Sequence, residues 1–354
     1  MTENELLADV AQYETWLRGQ CAVVEEGLVR KHKENMRDSP LAFLRATYFR
    51  WAKRVDLFAP ECLEDPQVLA VGDCHIENFG TWRDADARAV WGVNDFDDAS
   101  EMPYSLDLIR LCTSVVLSQE LDVPLETVCA QILAGYGKGL ERPGPVLLDD
   151  GNKWLRTVLH GLSDKVGDFW DDIDRAEPAH VPPDTMALLK ASMPAAAAPT
   201  RMAAWQRGGG SLGRPRFVVV ADWQGGRVVR EAKALVPSSW AWARHPGDDR
   251  IRFIDLSSGR FRSPDPALSV SGRVIVRRLA ADSRKLSAKQ LSASGRLEDV
   301  LKGMGREIGA IHAAHAGAHA VQGHLSGRHP GWLLDATARA VQFVQDDFAA
   351  WSAP

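Results

Sequence analysis

Apolar and polar positions along the chain change their period twice. Residues 3 to 30 repeat at helical spacing, and a sharper amphipathic helix is expected from Ser39-Pro40, a capping serine followed by proline, with Leu41, Leu44, Tyr48, Trp51 and Val55 on one stripe. Its opposite face carries Arg45, Arg50, Lys53 and Arg54. Two short apolar runs follow, Val68 to Val71 and Ala89 to Val93, each the length of a buried strand and each leading into an acidic turn. Helical spacing returns at Leu106, Ile109, Leu111 and Val115 and again at Leu125, Val128, Ile132 and Tyr136. The Gly- and Pro-rich stretch from Gly139 to Gly151 separates these from a further helical region. The segment from Met193 to Gly210 has the composition of a linker or boundary. Beyond it the period becomes two. Phe217 to Trp223 and Arg227 to Leu235 flank Gln-Gly-Gly as a hairpin, and Ile251 to Leu256 and Arg273 to Leu279 read as two more strands of a small antiparallel sheet over residues 205 to 280. Helices are expected again at Leu297 to His315 and near Leu334 to Trp351.

Composition narrows the function classes. The 354 residues are 45% apolar and 25% charged with a net charge of -5, enough core for two domains or lobes and too little positive charge for a dedicated nucleic-acid binder. The N-terminal MTENELLADVAQYETW is acidic and amphipathic rather than a signal peptide, and no run reaches membrane-spanning length, so a cytoplasmic protein without membrane partners is expected. Five scattered cysteines, Cys21, Cys62, Cys74, Cys112 and Cys129, suggest neither a disulfide framework nor a thiolate zinc site. Cys74 lies within the first acidic turn and reads as buried filler, because no base pattern supports a nucleophile.

The chemistry concentrates between Leu69 and Asp107. Carboxylates clustered just past two strand ends repel one another unless a cation sits among them, which points to a metal-phosphate site. In GDCHIEN, Asp73 is placed to aim a carboxylate at a hydroxyl, and Asn78 to return a carboxamide oxygen toward a cation. In VNDFDDA, Asp95 stands where a carboxylate bridging to magnesium and nucleotide phosphates would be. Asp97 and Asp98 are read either as a second ligand or as solvated loop charge.

Both turns resemble a known pattern in order and spacing. GDCHIEN is similar to the HGDxHxxN catalytic loop of the aminoglycoside phosphotransferase and protein-kinase-like superfamily, and NDFDDASEMPYSLDLIRL to its IDFDDAxxGPxxYDLA segment. The resemblance implies Asp73 as catalytic aspartate, Asn78 and Asp95 as magnesium ligands with Asp97 beside them, His75 as support, and Asp107 as the buried aspartate bracing the loop. Val71 stands where those enzymes usually carry histidine. A closer likeness, expected to cover nearly the whole chain, is carried by KHKENMRDSPLAFLRA, VGDCHIENFG, NDFDDA and LDLIRL, which resemble the bacterial family filed as domain of unknown function 2252; it brings no substrate with it.

A kinase-like chain builds its nucleotide-clamping sheet before the catalytic loop, whereas here RGGGSLGRPRFVVVADWQGGRVVREAKALV follows it. The resemblance therefore implies a circularly permuted, kinase-like α+β fold of two lobes. Residues 1–200 would form the helical catalytic lobe, 201–284 the β lobe, and 285–354 helices packing back on the first. Gly209, Gly210, Ser211 and Gly213 would approach phosphates with their backbone, and Lys233 would neutralise them. No helix glutamate is identifiable as a partner for Lys233; Glu231 lies two residues back on the same strand face. Arg45 is read as a phosphate or substrate contact, or as a surface ion pair. His312, His315 and His319 read as a packed or solvated helix face, and the tryptophans near the sheet as packing.

The function expected on this reading is ATP- and Mg2+-dependent phosphoryl transfer to an unknown small-molecule or protein hydroxyl. The alternatives are AMP transfer to a protein and nucleotide binding without turnover. A metal-dependent phosphoesterase ranks last, because the GNHE or GNHD and GHxH elements that should follow GDCH are missing. The acceptor and the oligomeric state are not legible.

Overall fold

A computed structural model describes residues 3–353 apart from 161–165, 206–210, 286 and 316. Among these residues the fold is α+β, dominated by helices and carrying three small antiparallel sheets. No helix among the described residues is long and apolar enough to cross a membrane.

The chain opens with α1 (Glu3–Gln20) and α2 (Glu25–Arg30), the latter running on into a π-helical turn, Lys31–Asn35. The stripe from Leu41 to Val55 is divided between α3 (Pro40–Ala46), α4 (Tyr48–Lys53) and a helical turn, Val55–Phe58, rather than forming one helix. Ser39 caps the first through its hydroxyl, which accepts from the Ala42 amide at 3.2 Å. The first break falls at Thr47, whose hydroxyl donates back to the Phe43 carbonyl at 2.7 Å, a local bond that bends helices.

Next come β1 (Gln67–Ala70), β2 (Phe79–Arg83), β3 (Ala89–Val93) and β4 (Ser100–Pro103). β1 pairs with β4 and β2 pairs with β3, both antiparallel. The segment from β1 to β2 and the segment from β3 to β4 therefore bridge the same two ladders, and the two acidic turns must run side by side. Then α5 (Tyr104–Val116) passes beneath the first turn, almost wholly buried, and α6 (Leu125–Glu141) follows, with β5 (Val146–Leu147) added to β3.

Five strands make the second body of structure: β6 (Ala198–Ala204), β7 (Arg216–Trp223), β8 (Gly226–Ala234), β9 (Ser269–Ser271) and β10 (Val274–Leu279), in the order β6-β7-β8-β10-β9. β6 lies inside the stretch expected to be a linker. It is an edge strand with a register shift beside Pro199, where proline is tolerated and alternation is not enforced. Between β8 and β9 stand α7 (Ser239–Arg244) and α8 (Phe253–Ser257). The latter corrects the strand expected over Ile251 to Leu256: Phe253 and Leu256, three apart, are the positions buried, which is helical spacing.

The chain closes with α9 (Leu297–Ala313) and α10 (Trp332–Ser352). α9 lies against α6 through four glycines, Gly135 and Gly139 on one side and Gly305 and Gly309 on the other. A methyl on any of them would overlap a backbone carbonyl of the facing helix. Helices this close leave no room for repacking. Gly305→Ala is expected to destabilise the protein by about 2–3 kcal/mol through overpacking, measured by chemical denaturation; an unchanged midpoint would refute the crossing.

Candidate active site

The first acidic turn is held by backbone geometry and by α5. At Gly72 (φ +79°) the chain takes a left-handed conformation, and an added Cβ would strike the Asp98 carbonyl of the second turn and stand 2.9 Å from the Tyr48 hydroxyl. Asp107, in the first turn of α5, accepts from the Val71 amide at 2.7 Å and the Gly72 amide at 2.9 Å. Ser114, two turns further on, accepts from the Ile76 amide at 2.9 Å. His312, wholly buried on α9, stands 3.1 Å from Asp107 through Nε2 and 3.0 Å from the Tyr136 hydroxyl through Nδ1. With Asp107 as acceptor, Nε2 carries the proton and Nδ1 accepts from Tyr136. The glycine-lined crossing of α6 and α9 brings these partners together.

Asp73 projects from the first turn toward the cleft. The buried guanidinium of Arg110, seated over Tyr48 and Trp51, gives its Oδ1 two hydrogen bonds, at 2.9 and 2.5 Å, and donates a third to the Leu44 carbonyl. Oδ2 lies 3.9 Å from His75 Nε2, beyond hydrogen-bond reach. Burial, reinforced by Asp98, pushes the Asp73 carboxyl above its ordinary value against the pull of Arg110. His75 is buried too, and desolvation together with Arg45 and Arg110 holds it well below its usual value, as a neutral imidazole. Burial likewise raises the Cys74 thiol, in keeping with an inert filler.

Asn78 joins the two turns. Its Nδ2 donates to the backbone carbonyls of Asp95 (2.9 Å) and Asp73 (3.2 Å), which fixes the amide orientation and leaves Oδ1 buried without a hydrogen-bond partner. A sealed acceptor of this kind beside a carboxylate suits a hard cation. No cluster of three or more His, Cys, Asp or Glu side chains with ligating geometry occurs among the described residues.

The sheet supplies the opposite wall. Lys233 on β8 is 1% exposed, with Nζ 2.6 Å from Asp97 and 3.4 Å from either oxygen of Asp95. Asp97 is also paired with Arg214 at 3.2 Å, and Asp98 accepts from the Ser239 amide at 2.7 Å, so neither is solvated loop charge. Burial and the charge of Asp95 push Asp97 up to about 6. Asp95, though burial pushes it the same way, is held well below the usual carboxylate range by Lys233 and Arg277. Glu231 is engaged elsewhere: Arg216 at 3.2 Å and Arg277 clasp it, and against its burial they pull it down to about 2. The partners of Lys233 are thus aspartates of the second turn. The walls enclose a cleft of about 700 Å³ whose lining includes Asp73, Asn78, Asp95, Asp97, Glu231 and Ser211.

The remaining sequence-identified residues are spread more widely. Ser211 lines the cleft and accepts from Arg216 at 2.6 Å. Gly213 (φ +92°) turns away toward α2, where its carbonyl accepts from the Val24 amide at 2.8 Å. Gly209 and Gly210 lie outside the described residues. Arg45 reaches the cleft while paired with Glu77. His312, His315 and His319 do not share one helix, since α9 ends at Ala313 and the next helix starts at Ala318.

Sequence reasoning passed over Arg110 and left His312, read as part of a packed or solvated helix face, out of the site. Arg110 had a signal: it stands three residues after Asp107 on an otherwise apolar helix, where an unpaired charge would not be tolerated. His312, a single imidazole in an alanine-rich helix, had none.

The model of an uncharacterised protein family conserved in bacteria, DUF2252, matches residues 24–142, a span that includes both acidic turns and α5. No curated protein and no solved structure matches the chain.

Proposed function

We propose that this chain is an ATP- and magnesium-dependent phosphotransferase of kinase-like design, acting on a hydroxyl acceptor, with its nucleotide-clamping sheet placed after its catalytic turns. The observation that carries this reading is the pairing of Lys233 with Asp95 and Asp97, two aspartates that line the cleft, although Lys233 and Asp95 are 138 residues apart in sequence. The order within the sheet supports it as well. The segment that contains the glycine run joins the first and second strands, and the lysine lies on the third, as in protein kinases.

Each residue has a task that follows from its surroundings. Arg110 holds one oxygen of Asp73 and leaves the other to orient an acceptor hydroxyl and take its proton, a role suited by a carboxyl whose pKa burial has raised. Asn78 Oδ1 and Asp95 would hold magnesium; the orphaned carboxamide oxygen and the ionised carboxylate fit a hard cation. When bound, magnesium would neutralise phosphate charge. Lys233 would exchange part of its pairing with the aspartates for the phosphates. Catalysis on this scheme is positioning and charge neutralisation.

Incubation of the protein with magnesium and ATP labelled at the γ or the α position tests the scheme. Label leaving ATP from the γ position alone, in step with ADP formation, is expected. Transfer of α label would replace phosphoryl by nucleotidyl transfer, and no turnover of either would refute both.

A further inference from the structure

Lys31 opens the π-helical turn after α2 and lines the same cleft. It is 3% exposed, and its Nζ stands 5.3 Å from the Phe49 ring centre and 5.9 Å from that of Tyr13. Among the described residues no carboxylate lies within ion-pairing distance of Nζ, and Nζ donates no hydrogen bond. The charged groups that face it are already engaged. Glu14 is bound by His32 at 2.5 Å, Asp98 by the Ser239 amide, Asp73 by Arg110, and Arg214 by Asp97 and the Tyr13 hydroxyl. Burial pushes the Lys31 ammonium down to about 8, partly offset by Glu14, so it stays protonated at neutral pH.

Burying an ammonium without a counter-charge is costly, and contact with two aromatic rings offsets only part of that cost. The position is nevertheless locked. The Val24 amide donates to the Gly213 carbonyl at 2.8 Å, and Gly27 meets Gly213 so closely that a Cβ would stand 2.7 Å from its amide nitrogen. α2 is thus clamped to the turn that precedes Arg214, and the π turn, a feature frequent at functional sites, aims Lys31 along the cleft wall.

We propose that Lys31 is an anion-binding group, which takes the phosphate or carboxylate oxygens of a ligand entering the cleft between the Tyr13 and Phe49 rings and the acidic turns. The anion has two possible sources, the terminal phosphate of a nucleotide or an acidic group on the acceptor. Only this question of source rests on the phosphotransferase reading.

The test uses the full chain, with inorganic phosphate as the probe in titration calorimetry and melting without ligand as the second measurement. Lys31→Met is expected to weaken phosphate binding by about tenfold to a hundredfold, the loss of one charge-assisted hydrogen bond, while Lys31→Arg retains it. Without ligand, Lys31→Met is expected to melt no lower than the parent, because it removes an uncompensated buried charge. Binding lost while stability is kept is the combination that a purely structural lysine does not produce. A parent that binds no phosphate, or a Lys31→Met variant that binds it as the parent does, would overturn the proposal. Affinities for magnesium-ATP and magnesium-ADP then identify the source. A loss confined to ATP assigns Lys31 to the terminal phosphate, and unchanged affinity for both assigns it to the acceptor. Should the parent bind phosphate but neither nucleotide, the phosphotransferase reading falls and the anion site stands.

Discussion

Asp95→Asn is expected to lower magnesium-dependent ATP turnover by about a thousandfold or more while leaving the fold intact. The asymmetry comes from how the second turn distributes its charges. The Asp95 side chain is 32% exposed in the cleft and stands 3.4 Å from Lys233, whose closer partner is Asp97 at 2.6 Å. Removing the Asp95 charge therefore leaves Lys233 paired and strips the proposed magnesium site of its ionised ligand. The same change at Asp97 would leave the buried guanidinium of Arg214 without its carboxylate, and should cost stability as well as activity. Turnover and melting temperature measured on both variants separate the two roles. Retained turnover in Asp95→Asn would remove the metal assignment, and with it the phosphotransferase reading.

The parts of the fold legible in sequence are those in which one physical requirement dominates a short window. Strand β3 is buried on both faces, and in β1 the buried Val68 and Ala70 flank a half-buried Leu69, so both read as short apolar runs, and the charge gathered directly after them marks the turns. The β7–β8 hairpin is announced by alternation around Gln-Gly-Gly, with Gln224 and Gly225 both at positive φ. β6 escaped because an edge strand answers to a single neighbour, and α8 because six residues, four apolar and two polar, are too few for spacing to separate a strand from a short helix.

The site divides along the same line. Asp73, Asn78, Asp95 and Asp107 belong to two local motifs, whereas Arg110, His312 and Lys31 matter only through what the fold brings beside them. Lys31 is the extreme case. In KHKEN it is one basic residue among several, and only the docking of α2 on the Gly213 turn distinguishes it from a solvated lysine.

Asp107→Asn is expected to lower stability by about 2–4 kcal/mol and turnover by a larger factor than unfolding alone explains. Every group that faces this carboxylate is a donor: the Val71 and Gly72 amides, one on each oxygen, and His312 Nε2. An asparagine offers one acceptor oxygen and one NH2, so an amide or the imidazole must confront another N–H in a site with no water-exposed surface. The chain can relieve that conflict only by letting the Val71–Gly72 backbone move, and Asp73 is the next residue. His312→Phe removes one donor to the carboxylate and the acceptor of the buried Tyr136 hydroxyl but leaves both amide bonds in place, so a loss of about 1–3 kcal/mol with a smaller effect on turnover is expected there. The two variants should also fail to add, because His312 acts through the carboxylate that the other variant removes. Denaturation and turnover measured on the singles and the double decide the matter. Strict additivity would mean that His312 stabilises the helix crossing alone, and that the first turn keeps its shape without it.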